Sequence, residues 1–149
     1  MTLITSGHGA CQLLLSGYHF YRNSKGKGLT SYFHCVKEDC PAKATTTGEL
    51  VKETVKLKSH NKPPHVHNHP PDQVGNLLAL HSHNFRQCCW DNPHQNGKAA
   101  YDSLTERMLV TMSCEIKEEF LRRLSPYQFY KDRFYRIRKK NSMANKSTE

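Results

Sequence analysis

Hydrophobic and polar residues alternate in short runs through the first 60 residues of the chain. A period of two is typical of β-strands with one buried face, because successive side chains point to opposite sides of the strand. Turn-forming pairs such as Ser16-Gly17 and Gly48-Glu49 separate these runs. The pattern predicts five strands, at residues 12–15, 17–22, 30–35, 42–47 and 50–57. We therefore expect a small twisted antiparallel sheet, preceded by about ten small and polar residues that are poorly ordered.

The pattern changes after residue 75, where hydrophobic positions recur at intervals of three and four residues. It predicts helices at residues 75–90, 98–109, 113–124 and 126–140, the second either continuous or broken near Ser103. Leu77, Leu78 and Leu80 are expected on the buried side of the first helix. Ser125 is predicted to cap the last helix, with Pro126 at its first helical position.

These two patterns divide the chain into parts of different character. The fold class is predicted to be α+β, with a small antiparallel sheet in residues 6–72 and a separate basic α-helical region in residues 73–140. The polar residues 141–149 are expected to form a disordered tail.

Two cysteines and two histidines form the set of side chains with the clearest chemistry. Cys35 and Cys40 are separated by four residues, and His67 and His69 by one. A short loop lets both thiolates face one ion, and an extended His-x-His points both imidazoles to the same side. Zn²⁺ takes four nitrogen or sulfur ligands in structural sites, and Cys₂His₂ is a common set. We therefore predict a zinc site. His65 is the alternative to His67 as a ligand, and a disulfide between the two cysteines is the alternative to the metal.

The four predicted ligands belong to a longer series of motifs that occur in a fixed order. The motifs are Gly17-Tyr18-His19-Phe20, Tyr32-Phe33-His34-Cys35, Cys40-Pro41-Ala42 and His67-Asn68-His69-Pro70-Pro71. Over residues 6–72 this series resembles a FLYWCH-type zinc finger. The resemblance implies a zinc-pinned antiparallel sheet. That family usually has Trp where this chain has Phe33, so an aromatic core position would still be filled, but an interaction that needs the indole N–H could not form.

Charge narrows the class of partner. The formal net charge is +9, and an acidic partner such as nucleic acid is the usual reason for such an excess. Between Arg122 and Lys140 there are eight Lys or Arg residues against one acid, Asp132. A basic helix there would face nucleic acid, or would simply be a solvated amphipathic helix. Its last basic residues, 136–140, could also serve as a nuclear import signal.

The location and origin of the protein are inferred from its hydropathy, its first residues and a second resemblance. No apolar run approaches the ~20 residues that a membrane helix needs, and the start lacks the features of a signal peptide, so we expect an intracellular, nuclear protein. Residues 127–140 also resemble the helical segment that joins a FLYWCH finger to the transposase core in Mutator-like elements. That resemblance implies a shortened or domesticated relative.

DNA binding is the function that these features favour. The FLYWCH finger resembles the plant WRKY and animal GCM domains, which insert a strand of a zinc-pinned sheet into the major groove of duplex DNA. If this carries over, Arg22, Lys25 and Lys27 contact DNA. The alternative is a module that binds chromatin proteins, with Tyr21 and Tyr32 as interface anchors.

The remaining clusters and motifs do not predict a second metal site or a catalytic site. His81 and His83 lie near Cys88 and Cys89, but adjacent cysteines rarely serve one ion well and the segment is predicted to be helical. The chain contains no glycine-rich phosphate loop, nucleophile elbow or dedicated carboxylate pair. A zinc ion with four protein ligands has no open position for an activated water, so we do not expect an enzyme.

Overall fold

A computed structural model describes residues 1–50 and 55–147 of the chain. The chain divides into two compact units, Met1–Asn76 and Leu77–Glu149, and each is described by itself. Among the helices in the described part of the chain, none is long and apolar enough to cross a membrane.

The first unit is a six-stranded antiparallel sheet in which each strand pairs with the next along the chain. The strands are β1 (Thr2–Thr5), β2 (Cys11–Leu15), β3 (Tyr18–Lys25), β4 (Ser31–Cys35), β5 (Lys43–Thr47) and β6 (Lys56–His60). The predicted antiparallel sheet is confirmed.

Most strand boundaries differ from the prediction by one to three residues, and the differences are larger at the two ends of the sheet. The first ten residues are not poorly ordered, because Leu3 and Ile4 pair with β2 and Ile4 is buried. The last predicted strand, at 50–57, lies partly outside the described residues, which leave out 51–54. The strand that the structure does show there, β6, begins at Lys56 and runs to His60.

A two-residue turn joins β2 to β3. Ser16 and Gly17 have φ angles of 52° and 84°, the left-handed conformation that a type I′ hairpin turn requires at both positions. A Cβ atom on Gly17 would lie 2.7 Å from the Cβ of Pro71, and the Gly17 carbonyl accepts a hydrogen bond from the Asp72 amide. The glycine therefore lets the segment that carries the predicted histidine ligands pack against the sheet.

One face of the sheet holds the core of the first unit. Its buried residues are Leu13, Leu15, Phe20, Phe33, Cys35, Ala42 and Ala44. Phe33 is completely buried, so this phenylalanine does fill an aromatic core position as the sequence predicts.

The second unit contains most of the helical region. The helices are α1 (Gln73–Asp91), which begins in the first unit, α2 (Gly97–Leu109), α3 (Cys114–Arg123) and α4 (Tyr127–Lys146). The core includes Phe85, Cys89, Tyr101 and Leu104, and a stripe of α4 residues at helical spacing packs in or against it. That stripe consists of Tyr127, Tyr130, Phe134 and Ile137.

Several details of the helices differ from the prediction. Leu77, Leu78 and Leu80 are only half-buried, and the fully covered side of α1 carries His81, Phe85 and Cys89 instead. Helix α2 continues unbroken through Ser103.

The last helix also differs at both ends. It extends to Lys146 rather than Lys140. Pro126, not Ser125, occupies the N-cap position, and no side chain caps the helix there. The Ser125 carbonyl accepts a hydrogen bond from the Tyr101 hydroxyl instead.

His81 makes the stability of the second unit depend on pH. It is completely buried, its Nε2 lies 3.0 Å from Thr105 Oγ1, its Nδ1 has no partner, and burial lowers its pKa to about 4. The rings of Tyr101, Phe120 and Tyr130 surround it. Because only the unfolded state takes up a proton near pH 6.5, the stabilisation is present above pH 6.5 and is lost as the pH falls towards 4.

We expect the free energy of unfolding of this unit to fall by about 2–3 kcal/mol between pH 7 and pH 4.5. Urea titrations followed by the fluorescence of Trp90, the single tryptophan, measure this change. His81→Gln removes the titrating group and should flatten the profile; an unchanged profile would assign the pH dependence to other groups.

Candidate metal centre

The two cysteines lie at either end of a short loop that follows β4. Cys35 is the last residue of β4, and its amide donates to the Ala42 carbonyl, so the chain turns back at once. Inside the loop the Cys40 amide donates to the Lys37 carbonyl, and Asp39 adopts a φ of 60°. This tight turn brings the Cys40 thiol back towards the end of β4.

The two histidines lie in the extended segment that follows β6. The Asn68 side chain, between them, donates a hydrogen bond to the Asp39 carbonyl over 3.0 Å. The Tyr18 hydroxyl donates to the His69 carbonyl. These two bonds hold the His-x-His segment against the cysteine loop and β3, so four ligands distant in sequence meet at one end of the sheet.

The donor atoms of Cys35, Cys40, His67 and His69 all lie within 4.8 Å of one another. Cys35 Sγ is 3.2 Å from His69 Nε2, and Cys40 Sγ is 3.6 Å from His67 Nδ1. In a tetrahedral Cys₂His₂ zinc site the donor atoms are separated by about 3.3–3.8 Å, given Zn–S and Zn–N bonds of about 2.3 and 2.0 Å. The donor types and their spacing therefore fit one zinc ion.

The His67 imidazole is fixed on several sides. The Tyr18 ring stacks on it with centroids 3.4 Å apart, and the Phe20 ring contacts it edge-on. With Nδ1 directed towards Cys40, its Nε2 lies 3.1 Å from His60 Nε2. Burial, together with the neighbouring His60 and His69, lowers the pKa of His67 to about 4. The neutral imidazole that a metal needs is thus the form present at neutral pH.

Whereas His67 faces the site with Nδ1, His69 faces it with Nε2. Its Nδ1 lies 3.1 Å from the Pro70 carbonyl oxygen, which can only accept, so Nδ1 carries the proton. This leaves Nε2 to bind the metal. A metal-bound histidine usually donates its other ring N–H to an oxygen in this way. On the cysteine side, burial raises the pKa of Cys35, with the nearby Cys40 adding to the effect. A cation between them would favour the thiolate forms.

Among the residues that it describes, the structure does not show either of the alternatives to this site, which were His65 as a ligand and a disulfide between the two cysteines. His65 lines a cavity on the other face of the sheet with Tyr32 and Lys43. Cys35 and Cys40 are free thiols. Within residues 1–50 and 55–147, the described part of the chain, the four predicted ligands form the group that could hold a metal, and the His81 and Cys88 region does not provide a second one. Cys89 there is a buried core residue whose pKa burial raises to about 12.

Comparison with protein families decides the identity of this unit. The family model for the FLYWCH zinc finger domain matches residues 3–69, a range that covers all but the first residue of the six-stranded sheet and all four candidate ligands. Residues 3–69 are a FLYWCH zinc finger. No curated protein and no solved structure matches the chain. The FLYWCH finger is a zinc-binding module, and FLYWCH is a family of binding domains rather than of enzymes.

The basic residues that the sequence assigned to DNA lie at the opposite end of this FLYWCH finger. Strand β3 rises about 3.3 Å per residue, so Lys25 lies about 23 Å along the strand from Tyr18 beside the metal centre. Arg22 and Lys25 line one cavity of about 250 Å³ with Glu49, while Lys27 is exposed on the loop that joins β3 to β4. The structure therefore places Arg22 and Lys25 around one cavity, and Lys27 two residues further along the same hairpin.

Sequence reasoning did not find two residues of the metal centre, Tyr18 and His60. Tyr18 lies in the strand predicted at residues 17–22, but nothing in the pattern shows that it stacks on His67. His60 lies at the end of β6, where it pairs with Ala44, and that strand boundary was not predicted. The only signal for His60 is its place among four histidines between residues 60 and 69.

His60 orients the ligand His67. Burial lowers the pKa of His60, so its neutral Nε2 can accept the hydrogen that His67 carries on Nε2. Losing such a partner typically weakens metal affinity by about 10- to 100-fold, and we expect His60→Ala to do so. Competition with a chromophoric zinc chelator measures the affinity. His65→Ala, a matched histidine outside the group, should change it little; equal reductions in both variants would remove His60 from this role.

Proposed function

We propose that this protein is a zinc-dependent, double-stranded-DNA-binding module of a nuclear transcription or chromatin factor, or of a domesticated transposase fragment. The observation that carries the proposal is the basic loop of the β3–β4 hairpin, held out at the end of the sheet remote from the zinc. Arg22 and Lys25 on β3 and Lys27 on the loop lie within a stretch that contains no acidic residue between positions 11 and 37.

The loop is ordered by contacts of its own. The Gly26 amide donates to the Thr30 carbonyl, and the Thr30 amide donates to the Lys27 carbonyl. A Cβ on Gly26 would lie 2.8 Å from the ring of Tyr32, so glycine lets this ring pack against the loop backbone. An ordered loop displays its lysines to a phosphate backbone at a low entropic cost.

The second unit adds positive charge. Of the basic residues between 122 and 140, Arg122 pairs with Glu119, and Arg138 lies over the ring of Phe134. The exposed surface of α4 still carries Lys131, Arg133, Arg136, Lys139 and Lys140. This helix supports the finger as a second source of attraction to phosphates.

A protein-binding module in chromatin is the second candidate. The observation that favours it is the exposure of large aromatic side chains, because Tyr21 and Tyr32 on the finger are each 42% exposed and Phe129 on α4 is 71% exposed. Buried aromatic anchors supply much of the energy of protein interfaces.

Fluorescence anisotropy against a random-sequence duplex pool tests the proposal, with zinc-loaded and chelated protein at several salt concentrations. We expect binding that requires zinc, and a log–log salt slope that falls by about 1.8 in the double variant Lys25→Gln/Lys27→Gln, or about 0.9 for each lysine–phosphate pair removed. Lys37→Gln, in the cysteine loop at the other end of the sheet, is the matched control and should keep the slope.

Two other outcomes would change the assignment of DNA binding to the finger. Binding that survives chelation would move the activity to α4. No binding to duplex DNA at low salt would contradict the proposal and leave the protein-binding module as the candidate to pursue.

A further inference from the structure

The face of the sheet opposite the core carries two rows of outward-facing side chains, whose composition is fixed by the strand register. Because Ser24 pairs with Tyr32, Tyr32 with Thr45, and Thr45 with Ser59, these residues lie side by side across four strands. The next outward row follows from the pairing of His34 with both Tyr21 and Lys43. The two rows are Ser24–Tyr32–Thr45–Ser59 and Tyr21–His34–Lys43.

A groove of about 370 Å³ lies over these rows. The segment after β6 contributes Lys62 and His65 to its wall, and the strand irregularity between Arg22 and Ser24 contributes Asn23. Asn23 is the extra residue of this bulge, which leaves it without a partner in the β3–β4 register. Bulges of this kind often redirect a side chain at a functional surface.

The lining of the groove combines three kinds of group. The first is the Tyr32 ring, because this side chain is 42% exposed. The second is a set of serine, threonine and asparagine side chains, which can donate and accept hydrogen bonds. Lys43 and Lys62 supply positive charge, and the lining contains no carboxylate. An aromatic surface, polar side chains that suit base edges, and cations for phosphates match the parts of a nucleotide.

The geometry points to single-stranded nucleic acid as the occupant of this groove, with one base stacked on Tyr32 and its flanking phosphates near Lys43 and Lys62. A strand without a complement is required, because in a duplex each base face is covered by its neighbours and is not open to an aromatic ring. An acidic peptide would satisfy the lysines and the hydrogen-bonding groups but carries no base to stack on the Tyr32 ring. This inference rests on the proposed nucleic-acid binding of the finger and adds a second surface to it.

Anisotropy with labelled single-stranded DNA and RNA 12-mers of one mixed sequence tests the inference in the zinc-loaded full chain. Stacking of one base predicts that Tyr32→Leu weakens single-strand binding by about 5- to 150-fold, whereas Tyr32→Phe keeps it within about threefold. The double variant Lys43→Gln/Lys62→Gln should lower the single-strand salt slope by about 1.4. The DNA and RNA arms show which of the two strands is preferred.

Controls separate this surface from the hairpin. Zinc content and circular dichroism establish that each variant is folded, and Lys37→Gln should leave single-strand binding unchanged. Because Tyr32 also packs on Gly26, substitution of Tyr32 changes a contact of the hairpin loop. The Lys43→Gln/Lys62→Gln variant tests the groove without changing that contact.

Four results would overturn the inference. Equal single-strand affinity in wild type and Tyr32→Leu would remove the stacking, and equal reductions in Tyr32→Leu and Tyr32→Phe would assign the effect to something other than the ring. Displacement of the oligonucleotide by polyglutamate at equal charge concentration would show attraction of polyanions in general. Failure on single strands with intact duplex binding contradicts this inference alone, whereas failure on both also contradicts the proposed function.

Discussion

Removal of zinc is expected to unfold the sheet of the FLYWCH finger rather than simply to empty a site. A module of roughly 60–70 residues buries only about 60% of its unfolded surface and is marginally stable without further support. Structural zinc supplies an apparent ~10–16 kcal/mol in small finger peptides near neutral pH. Here the four ligands join the end of β4, the loop after it and the segment after β6, so the metal closes long stretches of chain on one another.

The expected result is loss of β-sheet circular dichroism and of amide protection in β2–β5, both on chelation and in Cys40→Ser. Cys40 is suited to this test because it is only half-buried, whereas Cys35 is also a core residue. Trp90 lies in the helical unit and reports on it separately. Cys114→Ser, at an exposed cysteine, is the matched control and should change stability by less than about 0.5 kcal/mol. An intact, protected sheet after complete chelation would contradict the structural role of the metal.

The second large effect is expected at Phe33. This residue is completely buried, packs in the core of the finger, and is next but one to the ligand Cys35 on β4. Truncation of a buried phenylalanine to alanine removes its transfer free energy and leaves a cavity, which together typically cost about 3–5 kcal/mol. We expect Phe33→Ala to destabilise the zinc-loaded finger by that amount, and Phe33→Leu to cost less because it leaves a smaller void.

Urea denaturation of the zinc-loaded protein, followed by sheet circular dichroism, measures the destabilisation. Leu29→Ala is the control in the same unit, because Leu29 lies in the hairpin loop and is 59% exposed, and its effect should stay within about 0.5 kcal/mol. A cost below about 1 kcal/mol at Phe33 would mean that this position does not support the core as the structure shows.

The metal centre was largely predictable because its signal is local. Cys35 and Cys40 share one loop, and His67 and His69 share one extended segment, so residue types and spacing were enough to identify them. The type I′ turn at Ser16-Gly17 and the helical stripe from Tyr127 to Ile137 were predictable for the same reason. In each case the pattern that specifies the structure lies within about ten residues.

The parts that were missed depend on contacts between distant residues. His60 contacts His67 only because β6 pairs with β5 and the following segment folds back, which no local pattern encodes. Strand β1 has just two strongly apolar residues, Leu3 and Ile4, and forms because β2 offers them a partner. The buried side of α1 carries His81, a polar residue that the apolar periodicity of Leu77, Leu78 and Leu80 hides.

The central claim is that Cys35, Cys40, His67 and His69 hold one zinc ion, and substitution by Co²⁺ tests it most directly. Titration of the metal-free protein with Co²⁺ should produce the intense visible absorption of a tetrahedral site with thiolate ligands, saturating at one equivalent and displaced by zinc. Cys40→Ser should change the sulfur-to-cobalt charge-transfer band, and His65→Ala should not. A weak, octahedral-type spectrum, or an unaltered spectrum in Cys40→Ser, would contradict the account.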